Sequence, residues 1–313
     1  MDAASRDRAV GALVGLAVGD ALGTTLEFSR RDTLPRQTEI TGGGPFRLEP
    51  GQWTDDTSMA LALADGLLAV GQYDPAATMD RYVSWWKDGA FSSNGTCFDI
   101  GNTTRSALDM YIQLQRAEIG SRASDMAGNG SIMRLAPAVL FALPDAEAAH
   151  AVAVRQSRTT HGAPECLEAC ELMARTMTGL ILGEDRTLDP AHYSTPGGKR
   201  LASGSWRTLD RNHVKSTGYV IDTLEAALWA DARSQDFEQA LVLAVNLGGD
   251  ADTVGAVTGQ LAGARHGLSG IPDRWLAVLH DRQGIVDVAN ALVDAVPVAA
   301  KTGLLARLRS MAR

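Results

Sequence analysis

The sequence has little cysteine, few aromatic side chains and no excess of basic charge. Only three cysteines occur among 313 residues, an odd number that excludes a secreted disulfide framework. Aromatic residues make up 5% of the chain, so we expect a core of alanine, leucine and valine. Lysine and arginine number 29 against 37 acidic residues, a net charge of −8, which disfavours binding to nucleic acid or anionic lipid.

A signal peptide and a membrane-spanning segment are also absent from the sequence pattern. Charged residues precede the first apolar run, and Asp20 interrupts that run before it reaches about 20 residues. We therefore expect a cytoplasmic protein without a membrane partner. No heptad repeat or exposed apolar stripe stands out, which favours a monomer.

Glycine, by contrast, is abundant, and the first apolar run carries it at regular intervals. Apolar residues between Val10 and Leu22 recur at the spacing of a helix face. Each glycine within a helix costs about 1 kcal/mol relative to alanine, so close packing of a neighbouring helix is the expected compensation. The glycines that form this second row are Gly11, Gly15, Gly19 and Gly23.

Helical periodicity continues along the chain, whereas strand alternation is almost absent. Thr54 suits a helix N-cap, Pro164 a first helical turn, and Gly71 and Gly183 helix ends. Residues 184–217 have no clear period and predict a long surface loop. The sequence thus predicts an all-α fold with one large domain over residues 1–313. Further predicted helices cover 55–70, 76–87, 102–118, 131–142, 145–157, 164–182, 218–232, 236–246, 252–266, 273–280 and 284–295.

Two clusters of oxygen-bearing side chains stand where a loop enters a helix. Each cluster alone is equally compatible with helix capping. Together they supply four carboxylates and hydroxyls, a set of hard oxygen ligands that suits two Mg²⁺ or Mn²⁺ ions and disfavours zinc. The first cluster is Trp53-Thr54-Asp55-Asp56-Thr57, and the second is Asn246-Leu247-Gly248-Gly249-Asp250-Ala251-Asp252-Thr253.

These clusters belong to a longer series of motifs that resembles the ADP-ribosylglycohydrolases, most closely the bacterial dinitrogenase reductase-activating glycohydrolase branch. The motifs occur in the family's order between residue 11 and about residue 268. They are Gly19-Asp20-Ala21-Leu22-Gly23 with Glu27, Thr54-Asp55-Asp56-Thr57, Phe98-Asp99-Ile100-Gly101-Asn102-Thr103-Thr104, Gly128-Asn129-Gly130-Ser131 through Met133-Arg134, and Gly248-Gly249-Asp250-Ala251-Asp252-Thr253.

The resemblance implies a compact all-α fold with a binuclear Mg²⁺ or Mn²⁺ centre. The metal ligands that it implies are Thr54, Asp55, Asp56, Asp250, Asp252 and Thr253. It also implies hydrolysis of the bond that joins ADP-ribose to a protein side chain, with arginine as the first choice and free ADP-ribose as the product. Two alternatives remain open: hydrolysis of another ADP-ribosyl linkage, to serine, a nucleobase or a small molecule, and an inactive relative that only binds ADP-ribose.

Three acids are candidate catalytic residues. Glu27 follows the glycine-rich helix, where a solvated helix end is the simplest interpretation, but the resemblance places it near the metals as a candidate general base or gate for the ribose. Asp99 is either a turn residue or the group that moves a proton or holds a guanidinium leaving group. Asp55 is the third candidate, and it is also one of the candidate metal ligands.

The remaining candidates would bind substrate. Gly128, Asn129, Gly130 and Ser131 predict a turn that opens a helix and presents backbone N–H groups to a pyrophosphate, although Asn-Gly is also an ordinary turn. His161 matches the family's Thr-His position near the substrate. Tyr219 could stack on a base or a guanidinium, and core packing is an equal alternative. No motif gives the cysteines a catalytic role.

Overall fold

The computed structural model describes residues 1–184 and 188–295. In these residues the chain forms α-helices and short 3₁₀ turns and contains no β-strand, which confirms the all-α prediction. The predicted domain extends to residue 313, and residues 296–313 lie outside the described part. The helices are α1 (Ala3–Gly23), α2 (Asp55–Val70), α3 (Pro75–Asp88), α4 (Asn102–Leu114), α5 (Ala136–Ala142), α6 (Ala146–Thr160), α7 (Pro164–Leu182), α8 (Pro196–Ala202), α9 (Val220–Ala232), α10 (Phe237–Val245), α11 (Ala251–His266), α12 (Asp273–Val278) and α13 (Arg282–Asp294).

The residues that the sequence predicts at helix ends lie at helix ends in the structure. Gly71 and Gly183 adopt the left-handed conformation that ends α2 and α7, and Pro164 occupies the first turn of α7. Thr54 is the N-cap of α2, but its side chain forms no capping bond. The Thr54 hydroxyl instead donates to Asp20 of α1, which ties the start of α2 to the end of α1.

Several stretches differ from the sequence prediction. Helix α4 ends at Leu114 instead of residue 118, and α6 extends to Thr160 instead of residue 157. Residues 131–134 form turns rather than helix, and α5 starts only at Ala136, because Pro137 lacks an N–H and is tolerated only in a first helical turn. The predicted long surface loop contains α8, whose start carries Pro196 and a Thr195 side chain that accepts from the Gly198 N–H. Trp206 of this stretch is also buried.

The row of glycines in α1 lies against a matching row in α11. Added methyl groups at Gly15 and Gly19 would overlap the carbonyl oxygens of Gly259 and Gly255, so the two backbones are in direct contact. As residue numbers rise along α1 they fall along α11, and the helices are therefore antiparallel. The predicted reason for the glycine row, close helix packing, is confirmed.

Helix α1 also corrects one sequence argument. The sequence argument took Asp20 as an interruption of the apolar run, but α1 continues through Asp20 to Gly23. By length and mean hydropathy the stretch Ala3–Leu26 could therefore cross a membrane. In the fold, however, 94% of its most apolar window is buried inside the protein. The core in which it lies runs from Ala9 to Leu292 and is rich in alanine, leucine and valine, as the composition predicts.

Candidate active site

The C-terminal end of α1 organises the first acidic cluster through one buried carboxylate. Asp20 accepts hydrogen bonds from the N–H and hydroxyl of Thr54 at 2.9 and 2.8 Å. It accepts two more from the N–H and hydroxyl of Thr57 at 3.0 and 2.7 Å. With both Asp20 oxygens occupied in this way, the intervening Asp55 and Asp56 are fixed at the first turn of α2.

The same end of α1 reaches the second acidic cluster. Because α1 and α11 are antiparallel, the residues that follow Gly23 lie beside the N-terminus of α11. The Glu27 carboxylate accepts from the N–H groups of Ala251 and Asp252 at 2.7 and 3.3 Å. Glu27 is therefore a buried helix cap rather than a solvated helix end.

The acids of both clusters converge on one place. Glu27, Asp250 and Asp252 each offer an oxygen within 4.8 Å of the others, an arrangement that could hold a cation. The Thr253 hydroxyl donates to Asp56 at 3.3 Å, which joins the second cluster to the first. Residues about two hundred positions apart thus form a single acidic centre.

Burial is the main influence on these carboxyl groups. It raises the pKa of Glu27 to about 7 and the pKa of Asp99 to about 8, and neighbouring carboxylates add to both shifts. Burial and the surrounding negative charges likewise hold the pKa values of Asp55, Asp56 and Asp252 well above the ordinary range. Burial and mutual repulsion therefore disfavour the simultaneous ionisation of all these carboxyl groups.

The centre is short of positive partners. Within the described residues no lysine or arginine forms an ion pair with its carboxylates. One oxygen of Asp56 and one of Asp252 are buried without any hydrogen-bond partner. Unpartnered buried oxygens are costly unless a ligand uses them, and hard divalent cations prefer such donors. The residues therefore fit the predicted divalent-cation site.

An open cavity of about 230 Å³ leads to this centre. This cavity is the candidate site because of the acids that line it and not because of its size. Larger cavities, of about 410 and 600 Å³, lie elsewhere on the protein. Of the predicted site residues, those that line it are Glu27, Asp55, Asp99, Gly128, Asn129, Gly130, His161, Asp250, Asp252 and Thr253. Thr54 and Asp56 are fully buried behind the lining.

The turn at Gly128–Gly130 lies in the cavity but does not open a helix, contrary to the sequence prediction. The Asn129 amide donates to Asp250 at 2.9 Å and to the hydroxyl of Thr223 at 3.0 Å, so this side chain supports the acidic centre. Ser131 lies outside the cavity lining, and its hydroxyl hydrogen-bonds with that of Ser157 in the core.

The two predicted aromatic candidates are placed differently. His161 is buried and borders the cavity beside Gly128 and Gly130. Burial, with the positive charge of Arg134, lowers the pKa of His161 to about 3, so its ring is neutral. Tyr219 lies outside the cavity lining, and burial together with the Glu165 carboxylate raises the pKa of its hydroxyl.

The cavity is also lined by residues to which the sequence analysis assigned no role. Residues 101–104 line it at the start of α4, and no side chain caps that helix, so free N–H groups and the positive end of the helix dipole lie at the cavity. Phe28 lies at the cavity and is 68% exposed. Neither an uncapped helix start nor an exposed phenylalanine has a distinctive sequence signal. The available signals were the motif from Phe98 to Thr104, which contains residues 101–104, and the position of Phe28 next to Glu27.

Comparisons with known proteins agree with this site. A profile of the ADP-ribosylglycohydrolase family matches residues 1–301. ADP-ribosylarginine hydrolase Tri1 of Serratia proteamaculans is 44% identical over 296 residues, which cover 94% of this chain and 81% of that protein. ADP-ribosyl-[dinitrogen reductase] glycohydrolase of Rhodospirillum rubrum is 35% identical over 285 residues, which cover 87% of this chain and 90% of the relative.

A solved structure of an ADP-ribosylglycohydrolase-related protein complex superposes with a TM-score of 0.82 at 45% identity, covering 93% of this chain and 98% of that one. The fold, the acidic centre and the matched sequence all agree with the resemblance that the motifs indicated. This chain belongs to the ADP-ribosylglycohydrolase family and is a glycosidase of that family.

Proposed function

We propose that this protein hydrolyses the N-glycosidic bond between ADP-ribose and an arginine side chain of a modified protein. The observation that carries the proposal is the convergence of both acidic clusters, Glu27 and Asp99 on one open cavity. Similarity to an ADP-ribosylarginine hydrolase over 94% of the chain supports the arginine linkage. A cytoplasmic location fits the three cysteines, which are all free thiols.

Two Mg²⁺ or Mn²⁺ ions would be held by the residues that the sequence proposed, with Glu27 beside them. Those ligands are Thr54, Asp55, Asp56, Asp250, Asp252 and Thr253. When bound, the cations would supply positive charge that binds hydroxyl oxygens and lowers the pKa of the attacking water. The two unpartnered carboxylate oxygens, on Asp56 and Asp252, support this assignment.

The chain's own residues then orient the substrate and move protons. The uncapped start of α4 provides N–H groups suited to the anionic pyrophosphate. In the reaction a water oxygen bonds to the anomeric carbon, the bond from that carbon to the guanidinium nitrogen breaks, and a proton ends on the released arginine. Asp99, which lines the cavity, is the group we assign to proton transfer.

An aromatic ring at the cavity favours arginine over an uncharged linkage. Phe28 lines the cavity, and its ring centroid lies 6.2 Å from that of Phe46, which in turn lies 5.3 Å from that of Phe98. Phe28 and Phe98 directly follow and precede the acids Glu27 and Asp99. A planar guanidinium cation is attracted both by aromatic faces and by carboxylates.

The test is an assay of ADP-ribose release from proteins modified on arginine or on serine, with the Mn²⁺-loaded enzyme. We expect release from arginine, and a 10²–10⁴-fold lower kcat for Asp99→Asn, with ADP-ribose binding retained. Asp109→Asn, an exposed position on α4, is the matched control and keeps wild-type activity. Cleavage of serine linkages with arginine untouched contradicts the proposal, as does binding of ADP-ribose without any hydrolysis.

A further inference from the structure

Arg134 is a fully buried cation that lies near the cavity histidine. No carboxylate forms an ion pair with it in the described part of the chain. Its guanidinium instead donates to Gln156 at 3.1 Å and to the Thr160 hydroxyl at 2.7 Å, and it lies 4.5 Å from the centre of the Tyr82 ring. A buried arginine without a carboxylate is costly, so its hydrogen-bond partners are strongly constrained.

Thr160 connects this guanidinium to His161. The Thr160 hydroxyl oxygen lies 2.8 Å from Nδ1 of His161, and it already accepts from Arg134. A guanidinium has no acceptor, so the hydroxyl proton remains available for Nδ1. If Nδ1 carried its own proton, the buried hydroxyl proton would have no acceptor among the described residues, which is unfavourable. The contacts therefore make Nδ1 an acceptor.

The remaining proton of the imidazole must then lie on Nε2. A neutral ring carries one N–H, and His161 is neutral because of its burial and the charge of Arg134. Nε2 makes no hydrogen bond within residues 1–184 and 188–295, and it borders the cavity next to the Gly128–Gly130 turn. The missing side chains at Gly128 and Gly130 leave room there, since a methyl group at Gly130 would lie 2.7 Å from Cε1 of His161.

We propose that Thr160, held by Arg134, is a positioning residue that fixes His161 as its Nε2–H tautomer. In this form His161 presents a neutral hydrogen-bond donor to a phosphate or hydroxyl oxygen of the ADP-ribosyl group. A neutral donor binds an oxygen without adding a positive charge close to bound divalent cations. The identity of the ligand rests on the proposed function, whereas the tautomer rests only on the contacts of Arg134, Thr160 and His161.

The variants Thr160→Val and Thr160→Ser test the proposal, because valine keeps the shape of threonine without its hydroxyl, and serine keeps the hydroxyl without the methyl group. The tautomer is read from ¹⁵N imidazole chemical shifts of histidine-labelled protein, with the His161 signals assigned by their loss in His161→Gln. We expect a single Nε2–H tautomer in the wild type and Thr160→Ser, and a mixture of tautomers in Thr160→Val. Thermal melting confirms that each variant is folded.

The second readout is the calorimetric affinity for ADP-ribose. We expect Thr160→Val to bind about tenfold more weakly, and Thr160→Ser to restore most of the wild-type affinity. A mixed or Nδ1–H tautomer in the wild type overturns the proposal. So does equal weakening in both variants, or no change in Thr160→Val. A wild type that binds no ADP-ribose refutes the proposed function, while the ¹⁵N measurement still decides the tautomer.

Discussion

Phe28 shows how a single residue can be held in an unfavourable position at the cavity. Its backbone has a φ of 58°, a left-handed conformation that costs a residue with a side chain roughly 1–2 kcal/mol. Its N–H donates to the carbonyl oxygen of Gly249 at 2.7 Å, which fixes this conformation beside the second acidic cluster. The ring is nevertheless 68% exposed, so it gains little from burial. A contact with substrate would explain both features.

We therefore predict that Phe28→Ala lowers kcat/KM for arginine-linked ADP-ribose about two- to fivefold, the size expected for an exposed cation–π contact. Its affinity for free ADP-ribose, which has no guanidinium, remains unchanged in calorimetry. Leu114→Ala is the control, because Leu114 is similarly exposed and lies at the far end of α4. An equal loss of ADP-ribose affinity would mean that Phe28 contacts the nucleotide instead.

The individual site residues show where sequence reasoning works. Short-range patterns identified both acidic clusters, because their members are neighbours in the chain and lie at helix starts. The function of Asp20 could not be predicted in this way, since its four hydrogen bonds join α1 to the start of α2. Ser131 was chosen as part of the turn that starts at Gly128, and Tyr219 as an aromatic residue able to stack, but the direction of each side chain depends on tertiary packing.

At the scale of elements, the antiparallel pair α1 and α11 determines the geometry of the site. The glycine rows bring the two backbones together, and this places Glu27 at the start of α11 and Asp20 at the start of α2. The pairing must therefore be closely packed for the acids to converge. Its dependence on glycine can be measured by adding single methyl groups.

We predict that Gly15→Ala lowers the free energy of unfolding by about 1–3 kcal/mol, because the new methyl group would overlap the Gly259 carbonyl. This strain outweighs the gain of about 1 kcal/mol in helix propensity. The control is Gly66→Ala in α2, where the nearest atom, Cα of Thr78, would lie 3.5 Å from the added carbon. Urea denaturation should show the control to be unchanged or more stable; a stabilised Gly15→Ala would contradict the packing argument.

Element boundaries were predictable to the extent that local signals set them. Helices α2 and α7 occupy the predicted residues, and a left-handed glycine ends each of them. Pro164 lies in the first turn of α7, whereas the start of α2 is held by the bonds of Thr54 to Asp20. The start of α5 and the existence of α8 were missed, because these helices are short and their hydrophobic periodicity spans fewer than two turns. Burial of Trp206 within the fold, rather than a local pattern, orders the region around α8.

At the scale of the whole molecule, the net charge of −8 is distributed unevenly. Glu27, Asp55, Asp56, Asp250 and Asp252 lie together without a lysine or arginine partner among the described residues. Two divalent cations would reduce the formal charge to −4 and place the positive charge where these carboxylates repel one another. Metal binding should therefore stabilise the fold as a whole.

We predict that Mg²⁺ or Mn²⁺ raises the melting temperature of the chelator-treated protein. A cation at 100 times its Kd contributes about 2.7 kcal/mol, which corresponds to several degrees for a domain of this size. Asp252→Asn should abolish this response, because it removes a central ligand whose second oxygen has no other partner. In chelator the same variant should melt at or above the wild type, since one of the mutually repelling carboxylates is gone. Asp65→Asn, at an exposed position of α2, retains the wild-type response to metal. A melting temperature that is insensitive to metal in the wild type, or an equal rise in Asp252→Asn, would show that these acids do not form a cation site.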